Sequence, residues 1–216
     1  MAAPRDLFGG AVGCAIPADF VDVSSFRQVP DNQEVFSDPQ SDRSVIVEIL
    51  EYVSGGQLAG MAPARYFFND IAEANGAVPG SVRVLSTAQI PAARACPSLP
   101  ASDIEVHRLV GQQRIAKFGA PGTPANAIAI LLLNIRCAAI QTDIVITMNV
   151  PRPSAMSDDG DGDGDGDGDG DGGGGGDGGG DSDSAGSRAL ADIAEAEAFF
   201  DGITRSFAIR DWSLFG

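Results

Sequence analysis

The stretch of residues 158–183 constrains the fold of this chain most, because it is almost wholly glycine and aspartate. It contains 14 of the 28 glycines and 11 acidic residues, and it has no basic residue. Such a stretch has no apolar surface to bury, and its like charges repel each other. We therefore predict that it is extended and disordered, and that the fold is built from the residues on its two sides.

Aspartate-rich repeats can also bind calcium, so this stretch has to be compared with known calcium-site patterns. An EF-hand loop has a glutamate at its twelfth position, and calcium-binding β-roll repeats have an apolar residue in each repeat. The glycine- and aspartate-rich stretch has neither. We favour a disordered insertion and predict no metal site, while weak and nonspecific association with cations stays open.

An amphipathic helix is predicted after this stretch, from Ser187 onward. A set of apolar residues recurs at helical spacing there: Leu190, Ile193, Ala196, Phe200 and Ile203. A single helix cannot bury such a stripe alone, so it must pack back on the rest of the chain. The free-energy cost of closing a loop grows only with the logarithm of its length, so a long insertion is tolerated. We predict one domain over residues 1–216, interrupted at about residues 154–186.

The most hydrophobic segments, residues 127–136 and 142–150, predict two buried, antiparallel strands. Their short length and β-branched content favour strands over a helix. Residues 44–53 are apolar on both faces near their start, which predicts a central strand covered on two sides. Three shorter segments also indicate strands: residues 11–16, as the first strand of the chain, 33–37 and 81–85.

A helix is predicted from Pro63, which a first helical turn tolerates, to Gly76, which suits a C-terminal stop. Its apolar face would contain Phe67, Phe68, Ile71 and Ala74. Gly111 divides residues 104–118 into two segments and predicts a hairpin turn between them. The proline- and alanine-rich residues 91–100 are predicted to form a loop.

The charge and the cysteines exclude some classes of protein. The net charge is −16, and without the eleven acidic residues of the stretch it is −5. This balance offers no basic face to a phosphate backbone, so we predict no nucleic-acid binding. Cys14, Cys96 and Cys137 are far apart and have no CxxC or Cys/His cluster, which argues against zinc. We expect reduced, buried thiols in an intracellular protein.

The sequence also predicts a soluble protein without membrane insertion. Its most apolar region, residues 125–140, is interrupted by Asn134 and Arg136. It is also shorter than the roughly 20 residues that a membrane-spanning helix needs. The chain begins with Met-Ala-Ala-Pro-Arg-Asp, without an apolar signal core or a transit peptide.

Residues 22–36 are polar in the middle and apolar at both ends, which predicts a loop. Pro30, Asp31 and Asn32 suit a tight turn, because proline presets one dihedral angle and Asp and Asn bond their own backbone. The loop would present the carboxylates of Asp22, Asp31 and Glu34. Four apolar residues would anchor it: Val23, Phe26, Val35 and Phe36. Alternatively the loop is simply solvated and its carboxylates cap turns, a role that suits Asp31 best.

Six segments resemble the Ran guanine-nucleotide release factor family. The most specific is Val-Pro-Asp-Asn-Gln-Glu-Val-Phe, residues 29–36, within a match over residues 22–36. The other matches are residues 7–11, 44–51, 111–117, 141–149 and 211–215. The chain departs from the family pattern at the insertion and at residues 91–100. The resemblance implies an α+β, PsbP-like fold, an α/β/α sandwich around a mainly antiparallel twisted sheet, which agrees with the predicted strands and helices.

The resemblance implies a protein that binds the small GTPase Ran and promotes release of its guanine nucleotide, in support of nucleocytoplasmic transport. It implies a non-catalytic regulator, present in the nucleus and the cytoplasm, and we expect a monomer without a cofactor. Acidic residues of the motif loop are implicated in Ran binding in this family. The matching positions are Asp22, Asp31 and Glu34, and three residues between them are further candidates: Arg27, Asn32 and Gln33.

Three other classes of function are alternatives. An enzyme would need a nucleophile–base pair or a carboxylate dyad, and none stands out around the only histidine, His107, which we expect to be a structural or surface residue. A PsbP-like subunit of a photosynthetic complex would need a lumenal targeting sequence. A PsbP-like adaptor with another partner, for example in membrane-protein trafficking, stays open.

Overall fold

The computed structural model describes residues 2–58, 61–100, 102–115, 126–152 and 182–216. In these residues the chain forms the strands β1 (Ala2–Leu7), β2 (Val12–Pro17), β3 (Val21–Asp22), β4 (Gln33–Ser37), β5 (Ser44–Glu51), β6 (Arg83–Ile90), β7 (Ile104–Ile115), β8 (Asn126–Cys137), β9 (Thr142–Arg152) and β10 (Ala208–Ile209). Its α-helices are α1 (Pro63–Ala74), α2 (Ala92–Ala95) and α3 (Ser182–Ser206).

A seven-stranded antiparallel sheet forms the centre of the fold, with the strand order β3-β4-β5-β9-β8-β7-β6. The two most hydrophobic segments are its neighbouring strands β8 and β9, in register from Ala127 opposite Arg152 to Cys137 opposite Thr142. Strand β5 pairs with β9, and its Val45 and Val47 are fully buried. The predicted central, antiparallel strands are confirmed.

The two faces of this sheet are covered differently. Helix α1 covers one face, where Phe67 and Phe68 pack with Leu109, Leu132 and Val145. On the other face, helices α2 and α3 and a small sheet with the order β1-β2-β10 share one hydrophobic core with β8 and β9. Helices therefore lie on both sides of a mainly antiparallel sheet, as the predicted α/β/α sandwich requires.

The small sheet joins the two ends of the chain. Strand β2 pairs with β1 on one side and with β10, near the C-terminus, on the other. The Ser206 hydroxyl also accepts a hydrogen bond of 2.7 Å from the backbone N–H of Ala15. Residues 11–16 thus lie in the second strand and not the first. Strand β1 was missed because Pro4, Arg5 and Asp6 hide the alternation that marks a strand.

The predicted hairpin at Gly111 is wrong, because β7 runs through this residue without a turn. An ideal Cβ placed on Gly111 would lie 2.4 Å from the ring of Phe68 in α1. The glycine is therefore needed for close packing between sheet and helix, and not for a turn. Of the predicted second hairpin strand, residues 116–118 lie outside the described residues.

The predicted loop at residues 91–100 is only partly correct. It contains the short helix α2, and four of its residues are buried in the main core: Ala92, Ala95, Cys96 and Leu99. Their small or compact apolar side chains fit between the sheet and α3, so burial decides the structure of this segment more than its prolines do. Strand β6 starts two residues later than residues 81–85 predict, and extends to Ile90.

The two predicted amphipathic helices are present. In α1, Phe67 and Phe68 are buried, whereas Ala74 is exposed and Ala72 takes its place in the core. In α3, Ala196, Phe200 and Ile203 are buried, and the helix begins at Ser182, earlier than Ser187. The predicted insertion lies, up to residue 181, outside the described residues, so its disorder stays a prediction.

The three cysteines are free and buried, as predicted. Burial raises the pKa of Cys14 to about 11, that of Cys96 to about 12 and that of Cys137 to about 11. Their thiols are therefore protonated at neutral pH and are weak nucleophiles. In the part of the chain that the structure describes, no helix is both long and apolar enough to span a membrane.

Candidate functional site

The candidate site is the connection between β3 and β4, at one edge of the seven-stranded sheet. Its ends are held by the pairing of Asp22 with Phe36 and of Val21 with Ser37. A 3-10 helix over Val23–Ser25 follows β3 directly. The predicted loop is therefore closed by strand pairing at its base, which fixes where its side chains are presented.

Asp22 caps the 3-10 helix that opens the loop. Its Oδ1 atom accepts a hydrogen bond of 2.8 Å from the backbone N–H of Ser24. Such a cap satisfies a helix-terminal N–H group that would otherwise lack a partner. The capping role that the sequence suggested for Asp31 therefore belongs to Asp22.

Asp31 lies in the tight turn and is exposed. The turn is closed by a hydrogen bond of 2.9 Å from the Gln33 N–H to the Pro30 carbonyl oxygen. Among the residues that the structure describes, none forms a hydrogen bond or an ion pair with the Asp31 carboxylate. The Asp31 carboxylate is therefore exposed to solvent, on a turn that a backbone hydrogen bond closes.

Glu34 points inward and joins two of the segments that carried the family resemblance. Its Oε1 atom accepts a hydrogen bond of 2.6 Å from the backbone N–H of Phe8. Phe8 has a φ of 49°, a left-handed conformation that is unfavourable for a bulky residue. Glu34 therefore holds a strained turn in place, and its carboxylate is half-buried beneath the loop.

Asn32 and Gln33 attach the loop to the neighbouring strand β5. The Asn32 side-chain N–H donates to the Ile49 carbonyl oxygen at 3.2 Å, and the Ile49 N–H donates to the Asn32 carbonyl oxygen at 2.9 Å. Gln33 Nε2 donates to Glu48 Oε1 at 2.5 Å. These two residues position the loop, whereas Arg27 is exposed on its surface.

The six predicted site residues thus lie in the loop or in the strand ends that flank it, and they differ in what their side chains do. Asp31 and Arg27 are exposed on its outer surface, and Asp22 is half-buried at its start. The half-buried Glu34 and Gln33 and the exposed Asn32 form the side-chain hydrogen bonds that attach it to Phe8 and to β5. The sequence does not distinguish these roles, because all six residues are polar and lie within thirteen positions of one another.

Of the four predicted apolar anchors, Phe26 is not one. Val35 and Phe36 are buried in β4 and Val23 is half-buried, but the side chain of Phe26 is 78% exposed. Phe8 and Glu48 are partners of the loop that its local sequence does not predict. Only their contacts identify them, since Phe8 lies 26 residues from Glu34 along the chain.

Glu48 supplies a pH-dependent test of the support beneath the loop. Burial raises the pKa of its carboxyl group, against the opposing effect of the hydrogen bond from Gln33, and the charge of Asp70 in α1 raises it further. A raised pKa means that the folded state favours the neutral acid. Stability is therefore present at low pH and is lost as the pH rises through this pKa.

We expect Glu48→Gln to raise the melting temperature at pH 7 to 8, because it removes a partly buried charge and keeps an acceptor for Gln33. The gain should shrink as the pH falls and Glu48 of the wild type becomes protonated. Thermal unfolding followed by circular dichroism over a pH series measures this, with Glu51→Gln, an exposed position of the same strand, as the control. An equal gain at every pH would contradict the role of the charge.

Outside this loop, the residues that the structure describes show few arrangements of side chains that suit a site. His107 is half-buried in β7, and its Nε2 atom lies 3.5 Å from Glu105 Oε2. Within the described ranges, no group of three or more His, Cys, Asp or Glu side chains is arranged to hold a metal ion. An open depression of about 460 Å³ lies beside Phe8, between residues 8–11 and residues 211–214.

The chain matches known proteins over about two thirds of its length. The family model described as Ran-interacting Mog1 protein matches residues 5–151. The "Ran guanine nucleotide release factor" of Danio rerio is 36% identical over 156 residues, which cover 68% of this chain and 77% of that protein. The "Nuclear import protein mog1" of Schizosaccharomyces pombe is 36% identical over 162 residues, covering 70% and 78%.

The fold is also found among solved structures. The crystal structure of the Ran-binding protein Mog1p of Saccharomyces cerevisiae superposes with a TM-score of 0.65. The match covers 100% of both chains, at 22% sequence identity. At this identity the likeness shows the α+β fold, which is the predicted one.

Proposed function

This chain belongs to the family of Ran-interacting Mog1 proteins, and on that premise we propose that it binds Ran and promotes release of Ran's guanine nucleotide. One observation supports particular residues for this function. The loop between β3 and β4 is fixed at both ends, and it presents Asp31 to solvent without a partner among the described residues. A loop that holds an unpaired carboxylate in a fixed place is suited to receive a basic group of another protein.

The mechanism follows from thermodynamic linkage. In a small GTPase, positive charge and magnesium surround the nucleotide phosphates. A carboxylate that pairs with one of these basic groups competes with the phosphates for it. If the complex with this protein favours nucleotide-free Ran, then nucleotide affinity falls by the same factor. The protein would act as a regulator that does no bond chemistry and needs no cofactor.

The six candidate residues take different parts in this proposal. Asp31 and Arg27 make contact with Ran. Asp22 uses Oδ1 to cap the 3-10 helix, and its other carboxylate oxygen contributes to the same surface. Glu34, Asn32 and Gln33 are positioning residues, because their side chains hold the loop to Phe8 and to β5. The names of the yeast relatives refer to nuclear import, so we place the activity in nucleocytoplasmic transport, in the nucleus and the cytoplasm, with a monomer as the active form.

The test is release of a fluorescent guanine nucleotide from purified Ran, with and without this protein. We expect the wild type to accelerate release. Glu34→Ala should reduce this effect about 10-fold or more, because it removes the acceptor for the Phe8 N–H and frees the strained turn. Glu34→Gln keeps a side chain of the same length with an acceptor oxygen, and it should retain most of the activity.

The two Glu34 variants also separate positioning from direct contact. A positioning role predicts that Glu34→Ala lowers the melting temperature together with the release rate, while Glu34→Gln changes both only slightly. If Glu34→Gln were as inactive as Glu34→Ala at an unchanged melting temperature, the carboxylate charge itself would contact Ran. If the wild type neither bound Ran nor changed nucleotide release, the second function, a PsbP-like adaptor with another protein partner, would be favoured.

A further inference from the structure

Phe26 is the most exposed large hydrophobic side chain in the part of the chain that the structure describes. It is 78% exposed, against 49% for the next, Leu85. Single exposed apolar residues are common and need no explanation by themselves. What distinguishes Phe26 is its place in the middle of the candidate loop, between the carboxylates of Asp22 and Asp31.

Hydrogen bonds hold the backbone at Phe26, which fixes the direction in which its side chain leaves the loop. The N–H groups of Phe26 and Arg27 both donate to the Val23 carbonyl oxygen, at 3.0 and 3.1 Å. The turn that they close is itself capped by Asp22. By contrast Phe20, just before β3, is buried and stacks on Phe199 with a centroid distance of 5.9 Å.

The charged residues near Phe26 in the sequence indicate what kind of surface would cover its ring. Between residues 17 and 34 the chain has one basic residue, Arg27, and four acidic residues: Asp19, Asp22, Asp31 and Glu34. Of these carboxylates, that of Asp31 is exposed, whereas that of Glu34 is bound to the Phe8 N–H. An exposed aromatic residue flanked by charged residues is a common composition of an interface hot spot, where the ring is buried and the charges set the orientation. The complementary surface is an apolar depression with basic side chains around it.

We infer that Phe26 is the apolar anchor of the Ran-binding surface, and that its ring inserts into an apolar depression of Ran bordered by basic side chains. This inference rests on the proposed function and adds to it a residue that is not acidic. Burial of the ring supplies affinity, and the carboxylates around it supply orientation and rate of association.

The experiment measures the dissociation constant for Ran loaded with fluorescent GDP, using the full chain and three variants. We expect Phe26→Ala to weaken binding about 10-fold or more and Phe26→Leu to keep most of the affinity. Leu85→Ala is the matched control, because Leu85 lies on β6, at the edge of the large sheet opposite β3. It should leave the affinity unchanged. None of the three should lower the melting temperature appreciably, since the residues are exposed.

Salt gives a second readout. The loss caused by Phe26→Ala should be the same at low and high ionic strength, because apolar burial is not screened, whereas the contribution of exposed carboxylates is. Wild-type binding with an unaffected Phe26→Ala variant, or an equal loss in Leu85→Ala, would overturn this inference and leave the proposed function standing. Absence of wild-type binding would overturn the proposed function, and this inference with it.

Discussion

Asp143→Ala is expected to lower the free energy of unfolding by about 3–5 kcal/mol. Asp143 of β9 is fully buried and is the acceptor for three groups. Its Oδ1 atom accepts hydrogen bonds of 3.0 Å from Asn134 Nδ2 and from Arg136 Nε, and its Oδ2 atom accepts one of 2.8 Å from the Val53 N–H. Removing the carboxylate leaves a buried guanidinium without its counter-charge.

The hydrogen-bond network of Asp143, Asn134, Arg136 and Val53 connects several elements, so its loss should destabilise more than one of them. Arg136 also donates to the Val53 carbonyl oxygen, and its guanidinium lies over the Tyr52 ring at 4.2 Å. The network therefore attaches the segment after β5 to the paired strands β8 and β9. Both backbone groups of Val53 depend on it, and an unsatisfied buried polar group is expensive.

Denaturant unfolding of the wild type and the variant measures this loss. Asp143→Asn should lose less, because it keeps acceptor oxygen and shape, and it remains measurable if Asp143→Ala does not fold. Asp192→Ala, at an exposed position of α3, is the matched control and should change stability by no more than about 0.5 kcal/mol. A loss below about 1 kcal/mol for Asp143→Ala would show that the network contributes little to stability.

Asp31→Ala is expected to have the opposite profile, with a large effect on Ran and almost none on the fold. Truncating a carboxylate that is paired in an interface typically costs about 2–5 kcal/mol, so the dissociation constant should rise about 30-fold or more. The melting temperature should not change, because Asp31 is exposed and has no partner among the described residues. Titration of Ran together with thermal unfolding of the same samples measures both quantities.

The controls for Asp31 test the alternative that its carboxylate has only a structural role and stabilises the turn. Asp31→Asn keeps the turn chemistry and removes the charge, so it should lose Ran affinity nearly as strongly. Glu73→Ala, at an exposed position of α1, should change neither quantity. If Asp31→Asn lowered the melting temperature as much as it lowered the affinity, the carboxylate would belong to the fold and not to the interface.

The elements that the sequence predicted well are those whose local pattern has one meaning. Residues 127–136 and 142–150 are too short and too rich in β-branched residues for a helix, and they are the buried strands β8 and β9. Pro63 in the first turn and the helical spacing of Phe67 and Phe68 with Ile71 indicate α1 in the same way. Here local propensity and tertiary burial favour the same structure.

The errors arose where one residue type has two physical uses. Gly111 permits a turn, but it equally permits a helix to approach a strand, and only the position of Phe68 decides between the two. Phe26 was expected to be an anchor because apolar residues usually are, yet its direction depends on the turn at Val23. The role of Glu34 depends on Phe8, a residue that no local pattern connects with it.

The pairing of β2 with β10 joins residues that are far apart in the sequence. The candidate loop and β2 precede the insertion, whereas β10 and the Ser206 hydroxyl, which bind β2, follow it. Contacts between residues so far apart form late. Phe8, which Glu34 holds, lies between β1 and β2. The segment that contacts Glu34 is therefore expected to reach its final structure late in folding.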